Sequence, residues 1–254
     1  MNNRVMMMAA GILAGSGMGS VAQAAEAPKT TVVLVHGAFA DGSSWNRVIP
    51  LLQARGLEVV AVQNPLSSLA DDASAARRAI DAAPGPVVLV GHSWGGAVIT
   101  EAGDNTKVKA LVYVAAFALD KGESVNDLLK AGPPPSWAAK LRRDSGGFLT
   151  LPPEVVAKDF AQDLPPDETK LMAATQGPWS ERCTADVLSV GAWRGRPSWY
   201  LLAENDHMID PNAQAAMAAR IGAMITRVAA SHVPMLSHPQ QVASVIVAAA
   251  TSIR

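Results

Sequence analysis

Residues 86–102 read PVVLVGHSWGGAVITEA. A β-branched run, Pro86–Val90, passes without a linker into Gly91-His92-Ser93-Trp94-Gly95-Gly96, and a helical pattern of Ala97, Val98 and Ile99 follows. This is a G-x-S-x-G sequence at a strand-to-helix turn, the context in which such a serine works as a nucleophile. To lift its hydroxyl out of so sharp a turn, the serine takes a strained backbone conformation. Glycines two residues before and two after it remove side chains that would strike the neighbouring strand and helix. Gly96 brings the helix closer still. Ser93 is therefore the expected nucleophile.

Outward from this junction the chain alternates strand and helix patterns. Thr31–Val35, Leu57–Val62, Val108–Val114 and Ser198–Ala203 are nearly continuous apolar runs, and Ile225–Ala230 is a weaker one. Strands covered on both faces of a parallel sheet read this way. Helical patterns fall between them at Trp45–Arg55, at Ala70–Ala82 with Asp71-Asp72 at its positive end, and at Gly95–Ala102. A last helix opens at Ser237-His238-Pro239 and spaces Val242, Val245, Ile246 and Ala249 along one face. The expected fold class is α/β, a mostly parallel doubly wound sheet. Between about 119 and 196 the rhythm stops and eight of the 17 prolines cluster. A gap of roughly 80 residues exceeds any ordinary loop. Trp137, Phe148, Phe160, Leu171, Met172 and Trp179 make it too apolar for a linker. It reads as an inserted cap of mainly short helices, with the core formed by residues 25–118 and 197–254.

Residues 1–24, MNNRVMMMAAGILAGSGMGSVAQA, have the layout of a secretory signal peptide. Arg4 is their only charge, an apolar stretch follows, and Ala22-Gln23-Ala24 is a small-residue cleavage site. The stretch is too short and too broken by Gly and Ser for a membrane span. The expectation is a periplasmic or secreted protein, not stably inserted in a membrane after cleavage, and a monomer or homodimer. With 21 Lys+Arg against 22 Asp+Glu, no basic surplus points to nucleic acid. A hydrophobic fraction of 49% excludes intrinsic disorder, and a single cysteine excludes a disulfide scaffold. No H-E-x-x-H occurs and one cysteine supplies no thiolate cluster, so no metal site is expected.

A serine hydroxyl needs a base. Of the five histidines, His92 adjoins the nucleophile and reads as packing or hydrogen bonding. His36 lies in the first loop, His207 beside the best acid, and His238 at a helix start. His232 follows the last strand at the carboxyl end of the sheet, where open α/β folds bind ligands, and takes the role. The acid belongs after the preceding strand, in the order Ser…Asp…His. Ser198–Ala203 ends in Glu204-Asn205-Asp206-His207-Met208-Ile209-Asp210. Glu204 comes too soon and Asp210 precedes a proline, so Asp206 is chosen, with Asp120 as the fallback. Two backbone N–H groups must meet the charge that develops on the substrate oxygen. Trp94 supplies one and the His36-Gly37-Ala38-Phe39 loop the other, from Ala38 ahead of Phe39. Gly37, Phe39, Trp137, Met172, Trp179 and Met208 are candidates for an apolar substrate pocket.

VLVHGAF, GHSWGG, AENDHMI and SHVPMLSHP together resemble the α/β-hydrolase superfamily, and more narrowly small serine esterases related to the hydroxynitrile lyases. The resemblance implies an eight-stranded, mostly parallel sheet with a helical cap, no cofactor, and hydrolysis of a small-molecule carboxylic ester through an acyl-enzyme. Thr31 stands close to the start of that fold's third strand, which leaves little chain for the first two. The similar lyases carry threonine in place of Gly37 and lysine in place of Val233, the lysine handling the departing cyanide. Their absence favours an esterase over hydroxynitrile lyase-like chemistry. Relatives of this fold that act as non-catalytic binding proteins usually lack a triad member, and here all three are in place.

Overall fold

The computed structural model describes residues 29–130 and 134–253. The export signal expected over residues 1–24, and Pro133 of the proline run, lie outside them. Six strands form the main sheet: β1 (Thr31–Val35), β2 (Glu58–Val62), β3 (Val87–His92), β4 (Val108–Val114), β8 (Ser198–Ala203) and β9 (Met224–Val228). They lie in the order β2-β1-β3-β4-β8-β9 and every pairing is parallel. The eight strands implied by resemblance are thus six among the described residues. β2 is an edge with Val60 exposed, and no described strand pairs beyond it.

Position in the sheet accounts for the strength of each strand signal. Val32, Val33, Leu34 and Val35 of β1 and Val87 to Val90 of β3 are fully buried, as central strands require. β9, the opposite edge, is exposed at all but Val228. That is why its apolar pattern is weak, and it stops at Val228, short of Ala230.

The helices flank this sheet. α1 (Ile49–Gln53) is a short remnant of the helix expected over Trp45–Arg55, and a separate 3₁₀ turn covers Gly42–Trp45. Pro50 has no N–H to donate to a preceding turn, so it is confined to the first turn of a helix that begins at Ile49. α2 (Leu69–Ala82) is capped by Ser68, whose hydroxyl accepts from Asp71 N at 3.1 Å. α3 (Trp94–Ala102) follows β3 directly and packs with α2 over β1 and β3. Later in the chain, α8 (Pro211–Arg220) packs on β8, and α10 (Pro239–Ser252) packs on β3, β4 and β8 after the single turn α9 (Pro234–Ser237). No described helix is long and apolar enough to cross a membrane.

Residues 119–196 hold helices α4 (Val125–Lys130), α5 (Pro153–Val155), α6 (Pro166–Thr175) and α7 (Arg182–Ala185). They also hold a three-stranded antiparallel sheet that periodicity did not reveal: β5 (Arg142–Arg143), β6 (Phe148–Thr150) and β7 (Trp179–Ser180). Strands of two or three residues are too short to show alternation, and β7 joins β6 only after α6 has intervened. Leu171, counted among the apolar residues of this region, faces solvent.

The β3–α3 junction tolerates almost no added volume. A Cβ on Gly95 would stand 2.5 Å from the Val35 carbonyl oxygen, which cannot retreat without breaking β1. Gly95→Ala is expected to cost about 1–3 kcal/mol of stability, as overpacking does. The urea unfolding midpoint of the variant reads this directly.

Candidate active site

Ser93 sits between β3 and α3 at φ 52°, ψ −121°, a conformation foreign to most side-chain-bearing residues. Its own backbone is held on three sides. Ser93 N donates to Val114 O at 3.3 Å, and its carbonyl accepts from Gly96 N at 2.9 Å and Phe117 N at 3.1 Å. A Cβ on Gly91 would come within 2.4 Å of Gly95 O, so the turn closes only with glycine there.

His232 and Asp206 come to the serine from the ends of β9 and β8. His232 Nε2 lies 2.8 Å from Ser93 Oγ and Nδ1 lies 2.7 Å from Asp206 Oδ2. Ser93, His232 and Asp206 are all buried. The two loops are stitched together, because Glu204 N donates to Val228 O and Asn205 N to Ala230 O. Asp206 also accepts from Met208 N at 2.7 Å and Ile209 N at 3.0 Å through Oδ1, and from Gln214 Nε2 at 2.8 Å through Oδ2. A carboxylate only accepts, so Nδ1 of His232 carries the proton and Nε2 turns its lone pair to the serine hydroxyl.

The other candidates divide. Ala38 and Trp94 line the chamber above Ser93, and neither backbone N–H has a protein acceptor among the described residues. Gly37 lies behind the serine, where a Cβ would be 2.7 Å from Ser93 Cβ. Phe39 (φ 59°), Trp137, Trp179 and Met208 line the chamber. Met172 does not: α6 carries it to a separate hollow beside Arg47 and Glu168. The fallback acid Asp120 is held by Arg194 on the surface, and Asp210 caps α8 by accepting from Asn212 N at 2.7 Å.

Three polar contacts near the site could not be assigned from the sequence. Gln214, fully buried on α8, braces Asp206 and also accepts from Ala203 N at 3.1 Å. Eight residues separate it from Asp206, and no local pattern marks such a contact. His92, read as packing or hydrogen bonding, takes a specific hydrogen-bonding role. Its Nε2–H donates to the His232 carbonyl at 2.7 Å, and burial holds its pKa well below the ordinary histidine value, so it stays neutral. Asp71 and Asp72 both lie in the first turn of α2, as read from the sequence, but the two carboxylates point differently. Asp72 turns inward and accepts from Trp94 Nε1 and from Leu66 N, both at 2.7 Å. Burial pushes its pKa up to about 6. It ties Trp94, the residue after Ser93, to a loop residue held at φ 58°, Leu66.

A buried serine, an oriented imidazole and two N–H groups with no protein acceptor among the described residues surround one chamber, the kinds of group that acyl transfer uses. Residues 32–245 match the Alpha/beta hydrolase family. The chain belongs to that family. It is 28% identical over 241 residues to the "Alpha/beta hydrolase nvfD" of Aspergillus novofumigatus, covering 86% of this chain and 95% of the other. To a "Pyrethroid hydrolase" of Sphingobium wenxiniae it is 26% identical over 246 residues, 85% and 86% of the two chains. Among solved structures, a pyrethroid hydrolase from Sphingobium faniae superposes with a TM-score of 0.75 at 23% identity, over 88% of this chain and 98% of that one. This protein is a hydrolase of the same fold, with a mostly parallel sheet and flanking helices.

The buried Asp72 gives the stability a pH signature. A carboxyl whose folded pKa is raised from 3.8 to about 6 favours the fold below pH 4 and loses that contribution as pH rises through 6. Relative to Asp72→Asn, the natural protein is therefore expected to lose roughly 2–3 kcal/mol between pH 4 and pH 7. Parallel urea titrations of the two proteins across that range measure it.

Proposed function

We propose that the protein hydrolyses carboxylic esters of small to medium size through an acyl-enzyme on Ser93. The observation that carries this reading is the unbroken chain Asp206–His232–Ser93, with contacts of 2.7 and 2.8 Å, facing the free Ala38 and Trp94 N–H groups. His232 Nε2 takes the Ser93 proton as Oγ bonds to the ester carbonyl carbon. The oxyanion receives the two N–H groups, and Asp206 stabilises the imidazolium without taking its proton. The carbonyl re-forms, the C–O bond to the alcohol breaks, and His232 protonates the leaving oxygen. Water then repeats the sequence and releases the acid. No cofactor enters any step.

The similar lyases differ at two positions that bear on the alternative chemistry. A threonine in place of Gly37 would bring its Cβ into the 2.7 Å gap against Ser93 Cβ. Val233 is buried and uncharged, so cyanide leaving a cyanohydrin has no cation there. Ser93→Ala is expected to lower kcat on p-nitrophenyl esters by about 10⁶, and Asp206→Asn by about 10⁴ through the wrong imidazole tautomer. A panel of C2 to C12 esters, with mandelonitrile cleavage alongside, tests this. Retention of most ester turnover in Ser93→Ala removes the scheme.

We also propose export beyond the cytoplasmic membrane, supported by Arg4, the apolar stretch and Ala22-Gln23-Ala24. N-terminal sequencing of the exported protein is expected to begin at Ala25.

A further inference from the structure

The chamber at Ser93 is small, about 40 Å³, against the several hundred that enclose a typical small-molecule ligand. A hollow of about 760 Å³ shares Phe117, Leu129, Met208 and Ile209 with it, but not Trp94 or Trp179. A bulky part of an ester has room there, so selection by size falls on the chamber. One wall of the chamber is aromatic. The Trp94 and Trp179 ring centroids stand 5.6 Å apart, tilted by 56°, and Trp179 meets Phe39 edge-on at 5.6 Å. An indole outsizes the space it borders here, so a turn of the Trp94 ring changes that space by a large fraction.

What fixes the Trp94 ring is a carboxylate on another element. Asp72 is fully buried on α2, and its Oδ2 accepts from Trp94 Nε1 at 2.7 Å. Its Oδ1 accepts from Leu66 N at 2.7 Å, which keeps the carboxylate from turning away from the indole. Both partners are neutral, and no cation pairs with Asp72 among the described residues. The charged groups that face it, Asp71 and Asp186, are themselves carboxylates. Burial pushes its pKa up to about 6, so near neutral pH the ionised group stays in the interior at a cost to the fold. A neutral side chain would avoid that cost. Of its two partners, the one side chain is an indole that borders the chamber.

Resting on the esterase reading above, we infer that Asp72 is a positioning residue that sets substrate size: it holds the Trp94 indole at the chamber wall, and the held ring excludes longer chains. Asp72 touches no substrate and acts through Trp94. The geometry measures chain length without distinguishing the two halves of an ester, so the test varies both.

p-Nitrophenyl esters from acetate to hexanoate lengthen the acyl group, and alkyl acetates from methyl to hexyl lengthen the alcohol. In at least one series the shortest member is expected to exceed the six-carbon member in kcat/KM by tenfold or more. Asp72→Ala is expected to cut that ratio at least fivefold in the same series. Partial loss of folded protein does not move a ratio, so a merely structural role leaves it unchanged. Should Asp72→Ala not fold, Asp72→Asn is expected to move the ratio in the same direction. Trp94→Phe removes the indole N–H, and in that background adding the Asp72 substitution is expected to change the ratio less than twofold. The inference is overturned by the lack of a length preference in both series, or by a ratio that the Asp72 substitution leaves unmoved. A further shift of twofold or more beside Trp94→Phe overturns it too. Ser93→Ala separates the two levels. If turnover depends on Ser93 while the ratio stays fixed, only the role of Asp72 falls. Absence of all ester turnover removes both.

Discussion

The rest of the site depends on one strained residue. Ser93 holds a left-handed backbone that costs on the order of 1–3 kcal/mol, and the fold maintains it by leaving no alternative. Neighbouring backbone groups from β4, α3 and Phe117 take up its N–H and carbonyl. Gly91 and Gly95 leave the turn clear, so the hydroxyl emerges at the carboxyl end of the sheet. β1 pairs in register with β3, Val35 opposite Gly91, which sets the His36–Phe39 loop against the serine. β8 and β9, two and three places along the sheet from β3, bring Asp206 and His232 to the same edge. Parallel strands all end on one side, so four loops distant in sequence meet there.

Around that point the interior is apolar, and a polar group in such surroundings must be paired or pay the full cost of lost hydration. The structure meets this with interlocking partners. Asp206 fills its acceptor capacity with Met208 N, Ile209 N, Gln214 and His232. Gln214 in turn reaches Ala203 N and Ile209 O, fixing the acid loop to β8. His92 and Asp72 work one step further out. One grips the His232 backbone from the Ser93 turn, and the other grips the Trp94 indole from α2. The Phe160 ring stands 5.2 Å from the His232 ring, edge-on, so the residues after the fourth strand also close over the base.

Legibility in the sequence followed the range of the interaction. The central strands were readable because burial on both faces demands unbroken β-branched runs. The edge strand β9, half in solvent, carried a diluted pattern, and its end was misplaced. Pro50 splits what periodicity suggested was one helix. The small sheet at residues 142–180 left no trace, since its strands are too short to alternate and its last pairing is not local. At the site, Ser93, His232 and Asp206 could be located because each sits just past a recognisable strand. Met172 was misassigned: helix α6 presents it to a different hollow, and amino-acid type alone does not fix that. Asp71 and Asp72 share the first turn of α2 as read, and only packing turns Asp72 inward to the Trp94 indole.

The sequence by itself determined the alternation of strands and helices, the G-x-S-x-G turn, and the placing of Ser93, Asp206 and His232 just past successive strands. These are consequences of local sterics and of burial pattern, and both are written in short windows of residues. Tertiary structure alone decided which groups brace the site and how large the spaces around it are. The contacts of Gln214, His92 and Asp72, and the contrast between a 40 Å³ chamber and its 760 Å³ neighbour, arise where segments far apart in the chain converge. Cavity shape is what remains after all of them have packed, so no single stretch of sequence encodes it.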